Sequence, residues 1–128
     1  MKVELTLPWP PSVNTIWGVG KRGNWYAKKV LTDYKEIVYY LVFKSKTPKF
    51  TKEQRLRLDV FAYPPDRRSH DLDNLLKAVG DSLQAAKVFP NDNQIDQLWI
   101  ERKEIKRNGE VRVIITTIGE DIENDELA

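Results

Sequence analysis

A pair of prolines, Pro64 and Pro65, divides the centre of this 128-residue chain into two segments of different periodicity. Before them, Arg55 to Tyr63 alternates apolar and polar residues, which predicts a strand. After them, apolar residues recur at helical spacing, which predicts a helix from about Asp73 to Lys87. Because proline cannot donate to a strand ladder, the strand must end at the pair, and the residues that follow must turn the chain into the helix.

A further strand and a further helix precede this centre. Lys2 to Leu7 alternates and ends at the run Pro8-Trp9-Pro10-Pro11, which predicts a first strand. Thr32 or Asp33 is predicted to cap the first helix, with Glu36 placed for a capping box on Asp33. The buried stripe of that helix is predicted to consist of Tyr34, Ile37, Val38, Leu41 and Val42.

The last two predicted strands, Ile95 to Ile105 and Glu110 to Ile118, are separated by the dipeptide Asn108-Gly109. Both residues accept positive φ, so the dipeptide favours a hairpin between these strands. The order β-α-β-α-β-β predicts a single small α/β domain in which a mixed β-sheet packs on two helices. We expect this domain to span residues 1–119, followed by a flexible acidic tail over residues 120–128.

Composition limits the chemistry that this chain can carry out. It has no cysteine and one histidine, which excludes disulfides, thiolate zinc and a histidine-rich metal site. A metal ion would be held by oxygen, which favours Mg²⁺, with Mn²⁺ as a substitute. No stretch approaches the ~20 apolar residues of a membrane span, and the N-terminus lacks an apolar signal core. We therefore expect a cytoplasmic protein without a membrane partner.

Charge is distributed unevenly along the chain. The last nine residues contain five of the 19 acidic residues and no Lys or Arg. The rest holds 21 basic and 14 acidic residues, a net charge of +7. A basic body with an acidic tail suggests a polyanionic partner. For the tail alone, a solubilising, disordered end is the favoured interpretation.

Ser12 to Lys29 is predicted to be a long irregular segment, and it contains a G-x-G-x-x-G match at Gly18 to Gly23. A dinucleotide site needs a strand directly before this pattern and a helix directly after it. A proline run precedes the match and Asn24-Trp25-Tyr26 follows it, so we expect no nucleotide cofactor.

A mobile basic loop that contacts a sugar-phosphate backbone is one of two equally favoured interpretations of this segment, because its basic residues alternate with aromatic residues. The alternative is that Trp17 and Trp25 only pack the segment onto the body. The expected DNA contacts here are Lys21, Arg22, Lys28 and Lys29.

The residues that could carry chemistry lie between the prolines and the second helix. Asp71 and Asp73 are two positions apart, and such residues point about 200° apart on a helix but in the same direction on an extended segment. If both act together, Asp71 must be extended and Asp73 must lie at the helix start, where the helix dipole favours a carboxylate. The alternative is that Asp73 only caps the helix.

Lys77 follows Asp73 by one helical turn, and Asp92 follows the end of the helix. Lys77 is either half of an ordinary surface ion pair or a cation that stabilises the charge developing on a phosphate. Three converging carboxylates would repel one another by about 4 kcal/mol per pair at 4 Å, which a divalent cation would relieve. Such an ion can also activate water for phosphodiester hydrolysis.

The sequence resembles the RusA-type Holliday junction resolvases (crossover junction endodeoxyribonucleases), a family of phage and prophage origin. The resemblance extends from about Val3 to Ile118. It is carried by Leu7-Pro8-Trp9-Pro10-Pro11-Ser12 with Asn14, by Asp66-Arg67-Arg68 running into Asp71-Leu72-Asp73-Asn74-Leu75 with Lys77, Asp81 and Leu83, and by Asn91-Asp92 with Gln94 and Ile95.

The resemblance implies a homodimer that binds branched DNA at four-way junctions and introduces paired nicks with Mg²⁺ or Mn²⁺. A DNA-bound resolvase would be nucleoid-associated. The family's catalytic and metal-binding carboxylates fall on Asp71, Asp73 and Asp92, and its catalytic lysine falls on Lys77. Further DNA contacts are expected from Asn14, Arg67, Arg68, His70 and Asn74.

The chain departs from the family pattern at Ser69 and His70, where arginine is expected. His70 is predicted to face solvent or contact phosphate in place of a basic side chain, with a general base as the alternative. A different class of function also fits: a non-catalytic DNA-binding module of phage or prophage origin, in which the carboxylates only cap helices and form ion pairs.

Overall fold

The computed structural model describes residues 1–11 and 20–119, without the side chains of residues 20–27. Predictions for Asn14, Trp17 and the tail at 120–128 therefore fall outside the described residues. The same holds for the side chains of Lys21, Arg22 and Trp25.

Four strands form one mixed sheet in the order β1-β4-β2-β3. They are β1 (Lys2–Leu7), β2 (Leu56–Tyr63), β3 (Ile95–Arg102) and β4 (Glu110–Thr117). Strand β4 pairs antiparallel with β1 and with β2, whereas β3 pairs parallel with β2. A parallel pair needs a crossover connection, and helix α2 (Leu72–Ala85) provides it. The predicted mixed sheet is confirmed.

Two helices, α1 (Gly20–Lys44) and α2 (Leu72–Ala85), cover one face of the sheet. Alternate residues of β1, β2 and β4 are buried against them, which is the pattern of a half-covered sheet. Leu58, Val60, Val38 and Val79 lie in this core and are almost completely inaccessible to solvent. Within the described ranges, neither helix is long and apolar enough to cross a membrane.

Helix α1 begins at Gly20, much earlier than the predicted start at Thr32 or Asp33. The predicted irregular segment is therefore wrong over residues 20–29. Asp33 does not cap the helix, because it lies within α1. Its carboxylate forms an ion pair at 3.1 Å with Lys29, one turn earlier. Ala27, Lys28 and Lys29 have good helix propensity, which favours this extension.

The predicted hairpin between β3 and β4 is also wrong, because β2 lies between these strands. Asn108 and Gly109 do have the expected positive φ values of 68° and 72°. They form a tight turn in which the Gly109 N–H donates to the carbonyl of Lys106 at 2.8 Å. This turn only directs the chain into β4, since β2, whose alternate residues are buried, pairs with both β3 and β4.

Candidate active site

Asp71 is the N-cap of α2 and has extended backbone angles, φ −75° and ψ 118°. Its carboxylate accepts hydrogen bonds from the backbone N–H of Asp73 at 2.9 Å and from the side-chain amide of Asn74 at 3.4 Å. Asp73 is therefore the second residue of the helix, and its carboxylate lies near the positive end of the helix dipole. The backbone geometry that joint action of Asp71 and Asp73 requires is present.

Lys77 lies one turn after Asp73. It lines a cleft of about 390 Å³ between α2 and the start of β3. Asp92 lines the same cleft, so the structure brings together two of the predicted catalytic residues. Two acids that the sequence reasoning did not select, Asp81 and Asp96, also line it. Its apolar lining consists of Leu58, Leu76, Ile95 and Leu98.

The turn that carries Asp92 is anchored by the buried side chain of Gln94. The Gln94 amide donates to the carbonyls of Thr51 at 2.8 Å and Gln54 at 2.9 Å, and its oxygen accepts from the N–H of Asn91 at 3.1 Å. The backbone N–H of Asp92 donates to Gln84 on α2 at 3.2 Å. These bonds fix the Asp92 backbone against the second half of α2.

Asp96 is held by a different partner. Arg55 donates to both of its carboxylate oxygens, at 2.9 Å and 2.5 Å. This hydrogen bonding keeps the pKa of Asp96 below its usual value. Asp96 is therefore a carboxylate whose charge is already paired, whereas Asp92 makes no ion pair with the described part of the chain.

The predicted metal ligands are divided between two places. Asp71 and Asp73 lie at the start of α2, and Asp92 lies against its second half. Among the described residues, no three Asp, Glu or His side chains are close enough together to hold one metal ion. The donor type suits a hard divalent cation, but these side chains do not form a complete ligand set in this arrangement.

His70, directly before Asp71, was expected to face solvent, but its side chain is mostly covered. Its Nε2 lies 2.9 Å from a carboxylate oxygen of Asp66, and its ring meets the Trp9 ring edge-on at 5.1 Å. Arg102 donates to the His70 carbonyl at 2.7 Å. These contacts position the loop that leads into Asp71, and they leave His70 a packed side chain.

The two arginines of this loop differ in their surroundings. Arg68 donates to Asp66 from its side chain at 2.8 Å and from its backbone at 3.0 Å. The hydrogen bonds from Arg68 and His70 hold the pKa of Asp66 far below its ordinary value. Arg67 is exposed and makes no ion pair with the described residues, so it is the arginine available for phosphate.

On α1, Lys28 and Lys29 are both exposed, and Lys29 is paired with Asp33. Asn74 faces Asp71, as described above. Sequence reasoning missed the contributions of Trp9, Arg55, Arg102 and Gln94. The Pro-Trp-Pro-Pro run was a visible signal for Trp9, whereas nothing local marked the other three, because their partners are distant in sequence.

Known proteins match this chain over most of its length. Residues 8–116 match the family described as Endodeoxyribonuclease RusA. A crossover junction endodeoxyribonuclease rusA from Enterobacteria phage HK97 is 36% identical over 116 residues, covering 90% of this chain and 94% of the relative. The RusA of Escherichia coli K12, also named a crossover junction endodeoxyribonuclease, is 28% identical, covering 91% and 95%. The protein of that name from Enterobacteria phage 82 has the same identity and coverage.

The fold and the match together define a nuclease-family domain built on a small mixed sheet. The chain belongs to the RusA family of endodeoxyribonucleases.

Proposed function

We propose that this protein is a metal-dependent, structure-selective endodeoxyribonuclease that resolves four-way DNA junctions by paired symmetric nicks. The observation that carries the proposal is the placement of Asp71 and Asp73 at the start of α2, one turn before Lys77, which shares a cleft with Asp92. The relatives from phage HK97 and Escherichia coli K12 are named crossover junction endodeoxyribonucleases, which supports the same substrate.

Each residue has a role in this proposal that follows from its charge and position. Lys77 binds a nonbridging oxygen of the scissile phosphate and stabilises the charge that develops there. Asp71, Asp73 and Asp92 would supply carboxylate oxygens for Mg²⁺ or Mn²⁺, which requires Asp92 to come closer to the start of α2 than it does in this arrangement. When bound, such an ion would act as a Lewis acid on the phosphate and lower the pKa of water.

Basic side chains outside the cleft bind the flanking DNA. Arg67 lies five residues before the start of α2 and is exposed. Lys28 and Lys29 on α1 are exposed as well. Phosphate contacts of this kind position the duplex without reading its sequence, and they make binding strongly dependent on salt. Arg68 contributes less, because Asp66 already neutralises it.

The protein acts as a homodimer in this proposal. A four-way junction has approximate two-fold symmetry, so two symmetric sites can cut symmetry-related strands. One chain carries one set of the four proposed catalytic residues, and paired nicks therefore require two chains.

The experiment uses a synthetic four-way junction labelled on two opposing strands, incubated with the wild-type protein and Mg²⁺. We expect paired nicks from the wild type and a loss of cleavage of at least about 100-fold from Asp73→Asn. Glu4→Gln is the matched control, because it removes the same charge from an exposed site on β1, at the sheet edge opposite the strand β3 that borders the cleft. It should cleave like the wild type.

Binding is measured on the same junction by gel shift without metal. Asp73→Asn should bind at least as tightly as the wild type, because it removes a negative charge. If the wild type binds junctions tightly but cleaves none with Mg²⁺ or Mn²⁺, the nuclease proposal is wrong and the protein is a non-catalytic DNA-binding module.

A further inference from the structure

Helix α1 ends at Lys44 in a Schellman motif that places a lysine in the left-handed backbone conformation. Lys46, two residues beyond the helix, has φ +53°. Its N–H donates to the carbonyl of Phe43, and the N–H of Thr47 donates to the carbonyl of Val42, both at 3.2 Å. The left-handed position of this motif is usually glycine, because glycine has no Cβ to meet the neighbouring carbonyl.

Helix α2 ends at Ala85 in the same motif, again with a lysine at the left-handed position. Lys87 has φ +61°, and its N–H donates to the carbonyl of Gln84 at 2.9 Å. The N–H of Val88 donates to the carbonyl of Leu83 at 3.1 Å. The two described helices therefore both end with a lysine where glycine would be less strained.

The two left-handed lysines belong to one exposed surface. A hydrogen bond of 2.9 Å from the N–H of Phe50 to the carbonyl of Val88 joins the loop after α1 to the end of α2. A groove of about 210 Å³ between the two helix ends is lined in part by Lys46, Lys49 and Ala86. We name the exposed lysine side chains around this groove the lysine surface, which consists of Lys44, Lys46, Lys49 and Lys87.

The lysine surface has no counter-charge among the described residues. In other parts of the described chain, an ion pair with a carboxylate is formed by Lys2, Lys29, Lys103 and Lys106. None of the four lysines of the surface forms one, and residues 44–52 contain four lysines and no acid. An exposed cluster of unpaired like charges is typical of a surface that binds a polyanion.

The structural alternative is that these lysines only stabilise the negative C-terminal ends of the helix dipoles. A lysine in the last helical turn serves that role without strain, as Lys44 does in α1. Lys46 and Lys87 instead lie beyond the helices, at φ values that disfavour any side chain with a Cβ. Strain that a glycine would remove points to a use for these two side chains outside the fold.

We propose that the lysine surface binds phosphates of a DNA arm, as a contact additional to Arg67 and the residues of the cleft. The inference rests on the proposed function, because DNA is the polyanion that a junction endonuclease holds. The lysine surface lies at the opposite end of α2 from Asp71, and the 14 residues of α2 span about 21 Å. That length equals about six base pairs of duplex at ~3.4 Å each, so one arm is long enough to contact both ends of the helix.

The first experiment measures how metal-free binding to a synthetic four-way junction depends on salt concentration. The test variant carries K46G and K87G together, and it should melt no lower than the wild type because glycine fits both φ values. It should reduce the slope of log affinity against log salt concentration by about 1.8, because two phosphate contacts are lost at about 0.9 each. Lysines with a purely structural role would leave the slope unchanged. The double variant K46R with K87R keeps both charges and should retain the wild-type slope.

The matched control removes the same net charge from lysines outside the surface. K2Q with K106Q neutralises two exposed lysines whose charges are already paired with carboxylates. Because such lysines have less charge to offer a phosphate, this control should reduce the slope by less than half as much as the test variant.

A second pair of substitutions tests the surface without changing either helix end. K44Q with K49Q neutralises the two lysines of the surface that do not have positive φ. This variant should again reduce the slope by about 1.8, since it removes two phosphate contacts. A result of this kind cannot come from an altered left-handed residue.

The proposal is overturned if the test variant has the wild-type slope, or if the control variant loses as much slope as the test variant. It is also overturned, in favour of an anionic membrane, if the wild type floats with phosphatidylserine vesicles and the test variant loses only that binding. The nuclease proposal can fail separately, because these measurements are made without metal. A chain that binds junctions through the lysine surface and cleaves none refutes the activity but not the surface.

Discussion

The rings of Trp9 and His70 meet edge-on, with centroids 5.1 Å apart and planes at 70°. This contact joins the Pro-Trp-Pro-Pro run after β1 to the loop that leads into Asp71. On its other side, Trp9 lies against Gly109 in the turn before β4. The N-terminal Pro-Trp-Pro-Pro run therefore packs against the loop that leads into Asp71, which brings two distant sequence patches into contact.

Gly109 is the position at which this packing is tightest. A Cβ added there would lie 2.7 Å from Cβ of Trp9 and 3.1 Å from Cδ of Pro65, on a backbone with φ +72°. We expect Gly109→Ala to lower the free energy of unfolding through both strain and overpacking, the latter costing about 1–3 kcal/mol. Urea denaturation followed by tryptophan fluorescence measures the loss.

Gly119→Ala is the control for this prediction. Gly119 also has positive φ, +92°, but an added Cβ would meet nothing within 4 Å. Gly119→Ala should therefore show the strain alone. If the two variants lose equal stability, the close approach of Trp9 to Gly109 has no energetic consequence.

Two substitutions at Asp71 separate its capping role from its proposed catalytic role. Asp71→Ala removes the acceptor for the Asp73 N–H and should cost about 1 kcal/mol of stability. Asp71→Asn keeps a good N-cap and should change stability little. Both should lose junction cleavage. Full cleavage by Asp71→Asn would show that the carboxylate charge is not needed.

The Asp66 carboxylate should make stability depend on acid pH. Hydrogen bonds from Arg68, then from His70, lower its folded pKa below the ordinary value of 3.8. A depressed folded pKa means that this stabilisation is complete above the ordinary value and is lost as pH falls through it toward the folded value. Asp66→Asn should therefore be less stable than the wild type at pH 7, with the difference narrowing below about pH 4. Urea denaturation across that range tests this, and a constant difference would be inconsistent with it.

Arg67 and Arg68 should contribute differently to DNA binding. Each phosphate contact adds about 0.9 to the slope of log affinity against log salt concentration. Arg67→Ala should reduce that slope by about 1 on a metal-free junction, as expected for one lost phosphate contact. Arg68→Ala should reduce it less, because Arg68 is paired with Asp66. Equal slopes for the two variants would mean that Asp66 releases Arg68 when DNA binds.

Local signals were sufficient for much of this fold. The alternation of Lys2 to Leu7 predicted β1, and the prolines before the apolar stripe of α2 predicted an extended Asp71 with Asp73 at the helix start. These features depend on neighbours in sequence. A strand, a cap and a proline boundary each involve only a few consecutive residues.

The errors occurred where a distant partner decides the structure. Asn108-Gly109 forms the turn that its residues favour, yet the strands on either side pair with β2 rather than with each other. Ile37 was placed in the buried stripe of α1, although it is 48% exposed, because periodicity alone does not show how wide the covered face is. The bonds of Gln94 to Thr51 and Gln54, which position Asp92, cross about 40 residues and leave no local pattern.

The assignment of Asp92 to catalysis is tested most directly by comparing two acids in the same cleft. Asp92 is unpaired among the described residues, whereas Asp96 is held by Arg55. The measurement is the single-turnover rate of junction cleavage with saturating Mg²⁺ for Asp92→Asn and Asp96→Asn. We expect Asp92→Asn to lose at least about 100-fold and Asp96→Asn to stay within about threefold of the wild type. Wild-type rates from Asp92→Asn would contradict the site proposed here.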